Sequence, residues 1–470
     1  MDRLSALDAA FLDLDTARSP MHVGWVMRFA GEAPPLTELR GHVESRLAAM
    51  PRFRRHAIVP PLGIADPWWT DDVGFDIARH VDAVEFPGPV DEDTLRDIAA
   101  ALLAIPLDGR RPLWRLTLIA DTGADGPARG FAIVGQAHHA LLDGIAAVEL
   151  GVLLLDAQGA PPRPEAEPWT PERPIGLPEA IAATALARTA AAARLLRSVA
   201  DGTLRDAAAL LGALAGGGPA GPLAQMETHE RTVAHASTGL EALRASTRRH
   251  DATINDALLT ASTLALAAAF DRRAAAHTHL RAIVPVSVRT DGETGAGHAN
   301  RITLLPLTLP LGERDPVRLL RAVRARTAAA KRSGLPQAGA ALLDAADALP
   351  RPLRPALTRR AVKAGAPDVV ISNVPGPTEP LELLGRPMLA AWPSVPLVEG
   401  QGITIGALSY AGRLFVGVTA DPLVVPDAEL IARDLEQALV AIATAQEPVA
   451  ETPTPWRARA LERRRARGGA

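Results

Sequence analysis

The chain has 470 residues, 48% of them hydrophobic, and single cores stop growing at roughly 250 to 300 residues, so two domains are expected. Its 50 basic and 53 acidic residues leave a formal net charge of -3, which provides no global field for a nucleic acid partner. The lack of cysteine excludes a disulfide framework, a thiolate nucleophile and a cysteine-ligated zinc.

The opening residues, MDRLSALDAAFLDLD, carry acids every few positions and no uninterrupted apolar segment, unlike a secretory signal, so a cytoplasmic location is expected. WVMRFA (25–30) and LWRLTLIA (113–120) read as strands, while LTELRGHVESRLAAM (36–50) and DEDTLRDIAAALLAI (91–105) carry helical spacing. That alternation predicts an α/β or α+β domain over residues 1–160. FAIVGQA (131–137) is a continuous apolar run of strand length, and DGIAAVELGVLLLDA (143–157) resumes the helical period. From Gln158 a proline-rich linker runs into an alanine and arginine helix over about 179–214, so 161–225 is a connecting segment. The uncharged stretch 207–226 is long enough to span a bilayer, but GGGP in its middle breaks the helix that hydrocarbon demands.

A second domain is expected over 226–448. TINDALLTASTLALAAAF (253–270) reads as a helix with an Asn or Asp start signal. LRAIVPVSVR (280–289), RITLLPLTLP (301–310), DVVISNVP (368–375), GITIGALSY (402–410) and LFVGVTA (414–420) read as strands. The arginine-rich tail, 449–470, is expected to be a solvated end.

The chemistry concentrates in QAHHALLDG, where His138 and His139 stand at the handover from a buried strand to a helix, with Asp143 and Gly144 just beyond. An imidazole near its ordinary pKa of about 6.5 can take a proton from a hydroxyl and return it later. A fixed turn and a nearby carboxylate would set its tautomer and ring plane, and Gly144 would let a helix or a ligand come close. No GxSxG elbow is present, so direct attack by a bound alcohol or amine on an acyl donor suits the lone base. Two other readings stand beside this one. The pair could be one satisfied core histidine and its surface neighbour, or His139 and Asp143 could share a metal. No HExxH pattern or second cluster supplies further ligands, so no metal is expected.

HHxxxDG at 138–144 resembles the signature of the chloramphenicol acetyltransferase-like superfamily of acyltransferases. LSALDAAFLDLD with PMHVG (4–24), PRFR (51–54), PLDGRRPLW (106–114), TINDALL (253–259), PVSVR (285–289), SNVPGP (372–377) and ITIGALSYAGRLFVGVTADP (403–422) narrow the resemblance to the bacterial wax ester synthase/diacylglycerol acyltransferase family. The resemblance implies two chloramphenicol acetyltransferase-like α/β domains, each a mixed sheet packed with helices, with an active-site tunnel at their interface. It implies an acyl-CoA-dependent O-acyltransferase acting on diacylglycerol or long-chain alcohols, with no cofactor beyond the acyl-CoA substrate. His139 would be the general base, His138 would support the turn, and Asp143 would position it through a salt bridge to Arg289.

Asn255 would hydrogen-bond substrate or the developing oxyanion, or else cap its helix, and Asp256 could do either job. Pro112, Trp114, Asn373 and Gly376 would shape the fold or line the tunnel, and the single tyrosine, Tyr410, would be a core residue with a hydrogen-bonded hydroxyl. Lipid substrates imply peripheral contact with the inner membrane or lipid inclusions, with the helix around 179–205 and the tail as basic candidates. The alternatives are an acyltransferase or condensation enzyme fed by a carrier protein, and a non-catalytic lipid-binding protein on the same scaffold.

Overall fold

A computed structural model of the chain describes residues 2–86, 90–121, 130–141, 151, 154–159, 169–200, 221–275, 277–287, 302–333, 342, 345–364 and 367–445. The first part runs β1 (Asp2–Arg3), α1 (Ala6–Leu14), β2 (His22–Ala30), α2 (Leu36–Arg46), β3 (Arg55–Ile58), β4 (Trp68–Asp71) and β5 (Val81–Phe86). It continues through α3 (Glu92–Leu103), β6 (Trp114–Asp121), β7 (Gly130–His138) and β8 (Asp156–Ala157) to the connecting helix α4 (Leu177–Ala200). The second part runs β9 (Thr232–Gly239), α5 (Leu240–Arg249), α6 (Ile254–Arg272), β10 (His279–Ser287), β11 (Ile302–Pro310), α7 (Pro316–Arg332) and α8 (Arg354–Ala364). It ends with β12 (Val369–Val374), β13 (Leu381–Leu383), β14 (Arg386–Ser394), β15 (Ile403–Tyr410), β16 (Arg413–Ala420) and α9 (Ala428–Thr444).

Two large mixed sheets each carry a core. One has the order β5-β6-β7-β2-β14-β13-β8, the other β11-β10-β12-β15-β16-β9, and β1-β4-β3 form a small third sheet. In the centre of the first sheet β7 is buried along nearly its whole length, as its unbroken apolar run requires. In the second, α6 lies almost wholly inside. The hydroxyls of Thr260 and Thr263 donate back to the carbonyls of Asp256 and Leu259 at 2.7 Å, so the helix buries them satisfied.

The expected division of the chain at 160 and 226 is crossed by one exchange. β13 and β14 belong to the second half in sequence but sit in the first sheet, with β14 antiparallel to β2 and Trp392 opposite Val26. The exchange depends on close backbone approach, since a Cβ on Gly417 of β16 would lie 1.9 Å from the Pro393 carbonyl oxygen. Tyr410, as expected for a core residue, is buried and fastens the pair. Its hydroxyl accepts from the Leu381 N–H at 2.9 Å and donates to the Met388 carbonyl at 3.1 Å. Within the stretch 161–225 the described residues form α4, whose Arg188 turns inward to Asp66 at 3.4 Å. The linker 160–168, the stretch 201–220 and the tail lie outside the described residues. Among the described residues no single helix is long and apolar enough to cross a membrane.

Candidate active site

β7 ends at His138, and the next three residues turn sharply. The His138 N–H donates to the Leu113 carbonyl at 2.9 Å, the His139 N–H to the Met21 carbonyl at 2.8 Å, and the Leu141 N–H to the His138 carbonyl at 2.8 Å. The Ala140 N–H donates to His138 Nδ1 at 3.0 Å, which leaves the ring hydrogen of His138 on Nε2. Successive side chains at a strand end point to opposite faces, so the two imidazoles part company. His138 is sealed in the core, directly opposite His22 of β2, whereas His139 is half-buried. Burial, and then the neighbouring His22 and His139, push the His138 imidazole down to about 3, so this ring is neutral at physiological pH. Of the pair, His139 is the ring with access to the outside of the sheet.

The sheet face beneath His138 is held by a polar set tied to the end of α3. His22 Nε2 donates to the Leu103 carbonyl at 2.8 Å, and burial pushes its ring down to about 4. Gln136 donates to the Leu102 and Ile105 carbonyls at 3.0 and 3.2 Å, and its Oε1 accepts from Arg115 at 3.0 and 2.7 Å. These side chains tie the carbonyls at and just beyond the C-terminus of α3 to the sheet. Trp114 is buried, with Nε1 donating to the Phe53 carbonyl at 2.7 Å, and Pro112 lends its carbonyl to the Trp114 N–H at 2.9 Å.

Helix α1 covers the other histidine. The Phe11 ring stacks on the His139 ring, with centroids 3.9 Å apart and planes 17° from parallel. A capping box between Ser5 and Asp8 starts this helix, and a buried ion pair of Asp13 with Arg351 ties it to the second half of the chain. Just beyond α1, Asp15 Oδ1 accepts from the Met21 N–H at 2.7 Å, and it lies 3.8 Å from His138 Nε2. Burial raises the Asp15 carboxyl above its usual range, although the Met21 N–H pulls it down. The backbone of Met21 thus links Asp15, through its N–H, to His139, through its carbonyl. Sequence reasoning assigned no role to Phe11, Asp15 or Gln136. The acids at 8 and 13 within an otherwise apolar helix, with Asp15 directly after it, were the available signal.

Asp143, Gly144 and Arg289 lie outside the described residues, and so does the expected Asp143 to Arg289 salt bridge. The N-cap of α6 is Thr253, not Asn255, which sits half-buried in the first turn. Asp256 is buried and engaged on both oxygens. Oδ2 accepts from the Thr253 N–H and hydroxyl, each at 2.8 Å, and Oδ1 accepts from the Thr327 hydroxyl at 2.7 Å. Its place is therefore a capping box joined to α7. Asn373 is half-buried on β12 opposite Ala407. Gly376 is needed for packing, because a Cβ there would lie 2.3 Å from the Ser409 carbonyl oxygen. Among the described residues no three His, Asp or Glu side chains are grouped to hold a metal ion.

Residues 4–258 match the model of the wax ester synthase/diacylglycerol acyltransferase catalytic domain, and residues 298–443 match that of the C-terminal domain of the same family. The chain is 32% identical over 463 residues to a Mycobacterium tuberculosis protein named probable diacylglycerol O-acyltransferase tgs1, covering 93% of this chain and 95% of that one. Its fold is similar to that of the wax ester synthase/diacylglycerol acyltransferase from Marinobacter aquaeolei VT8, with a TM-score of 0.65 at 24% identity over 94% of this chain and 98% of the other. It is also similar, with a TM-score of 0.54 at 16% identity over 95% and 96% of the two chains, to the first condensation domain of the CDA synthetase. From its two halves, and with the paired histidines inside the catalytic one, the chain belongs to the wax ester synthase/diacylglycerol acyltransferase family of acyltransferases.

Proposed function

We propose that the protein transfers an acyl group from acyl-CoA directly to the hydroxyl of a diacylglycerol or a long-chain alcohol, with His139 as general base. The observation that carries this reading is the division of labour at the end of β7. His138 is sealed and neutral, while His139 is half-buried, hung by its own N–H on Met21 and laid flat against Phe11. His139 takes the hydroxyl proton as the alcohol oxygen attacks the thioester carbonyl carbon. The carbonyl oxygen carries the negative charge of the tetrahedral intermediate, with Asn255 as the donor we assign to it. The carbon–sulfur bond then breaks, and the imidazolium returns its proton to the leaving thiolate, giving ester and free CoA. Because both substrates partition into lipid, the enzyme works at a lipid surface on the cytoplasmic side.

The test is purified protein with labelled palmitoyl-CoA and a panel of alcohols, diacylglycerols and amines, with products separated by lipid chromatography. A parallel arm offers the same acyl group on a carrier protein. The expected result is ester from acyl-CoA and a hydroxyl acceptor, falling by a factor of about 100 or more in His139→Ala, the span of a lost general base. Wild-type rates in that variant would place the chemistry elsewhere.

A further inference from the structure

One part of the surface over α1 is apolar, strained into position and bordered by cations. Leu62 has φ 57°, the left-handed region that a leucine disfavours, and it is 89% exposed. The turn that holds it abuts the segment leading into α8, since a Cβ on Gly63 would lie 3.1 Å from Arg351 Cγ and from Pro352 N. That contact brings the turn beside Leu353, which is 53% exposed, and Leu357 follows one helical turn later at 47%. Val59 and Ile64, also exposed, flank the turn.

Along the segment that leads into α8, and along α8 itself, the charged side chains have one sign. Residues 350–367 include five cations and no acid. Three of the cations point inward: Arg351 to Asp13, Arg354 to Asp66 at 3.2 Å, and Arg359 to the Asp13 carbonyl at 3.1 Å. Arg360 and Lys363 remain exposed on the outer side of α8. Beneath this helix lies α1, so the patch is one layer from the ring of Phe11 and from His139.

We infer that the turn 59–64 and the outer side of α8 form the face by which the protein docks on an anionic lipid surface. The leucines enter the boundary between headgroups and acyl chains while Arg360 and Lys363 meet headgroup phosphates. Strain at Leu62 has no return inside the fold, where its side chain touches little, and is repaid when the leucine enters lipid. The inference rests on the reading of this site as a lipid acyltransferase, and it places the entry of the lipid acceptor beside α1.

The test is flotation of the full chain with phosphatidylcholine vesicles, with and without phosphatidylglycerol. It compares wild type, a triple variant (Leu62→Ser, Leu353→Ser, Leu357→Ser) and a double variant (Arg360→Glu, Lys363→Glu). Wild type is expected to float with anionic vesicles, the triple variant about tenfold less, and the double variant to lose its preference for the anionic lipid. Esterification of a short, water-soluble alcohol from a short-chain acyl-CoA should be the same in all three, while use of vesicle-borne diacylglycerol falls with flotation. Equal flotation of wild type and triple variant overturns the inference, as does a wild type that stays in solution. A triple variant that changes oligomeric state with flotation unchanged would give this face to a second copy of the chain instead. Absence of ester from every acceptor, with flotation behaving as expected, would sink the acyltransferase reading and leave the docking face standing.

Discussion

Phe11→Leu isolates what the aromatic platform does for His139. The substitution keeps most of the apolar volume of a half-buried position, and α1 stays anchored by its capping box and by the Asp13 to Arg351 pair. What disappears is the ring stacked at 3.9 Å and 17°. Aromatic pairs contribute about 0.5 to 1.5 kcal/mol beyond area burial, and loss of that amount from the reacting geometry lowers kcat/KM roughly 2- to 12-fold. The backbone of His139 is still held by Met21, so the loss should fall mainly on kcat, through an imidazole that spends less time facing the acceptor. Thiol release from palmitoyl-CoA at saturating acceptor gives the rates, and the thermal midpoint of the same preparation reports stability. Unchanged kcat/KM with an unchanged midpoint would refute the idea that Phe11 fixes the ring. A fall in rate that merely follows a large loss of stability would make Phe11 a packing residue.

Two further outcomes test the surrounding frame. His22, His138 and His235 are depressed by burial to about 4, 3 and 3, so each is neutral in the fold while its unfolded counterpart takes up a proton below about 6.5. The stability linked to them is complete above pH 6.5 and is lost as pH falls from there toward the folded values, with a limiting slope of about 1.4 kcal/mol per pH unit per group. His235→Phe keeps the stack on Trp392, now at 4.4 Å, and should remove one proton from the slope measured between pH 6 and 5; an unaltered slope would contradict the assignment. Tyr410→Phe leaves the Leu381 N–H without its acceptor and should cost about 1 to 3 kcal/mol, seen as a lower thermal midpoint and faster amide exchange at Leu381. Wild-type exchange at that amide would show that the hydroxyl does not fasten β13.

Much of this architecture was legible from local pattern. β7 was announced by FAIVGQA because a strand buried on both faces must be apolar throughout, and the second-half strands stood out by β-branched runs between turn residues. The strand over 386–394 escaped notice. RPMLAAWPS has two prolines and little alternation, and its place beside β2 is set by a partner more than 350 residues away. The histidine pair was visible as a pair, but which ring is sealed follows from cross-strand register with His22, which spacing along the chain does not carry. Asn255 looked like a cap by residue type. Thr253 took that place because Asp256 at the third helical position could reach back to it. Phe11 and Asp15 gain their roles only when α1 folds over the turn after β7.

The placement of β14 also bears on how the protein is made. While a nascent chain is still short of residue 394, the sheet bearing the histidines has β2 as a raw edge, with its outward N–H and carbonyl groups waiting for a partner. Emergence of the catalytic half from the ribosome therefore does not complete it. Expressed by itself, that half would present a sticky border to its own copies.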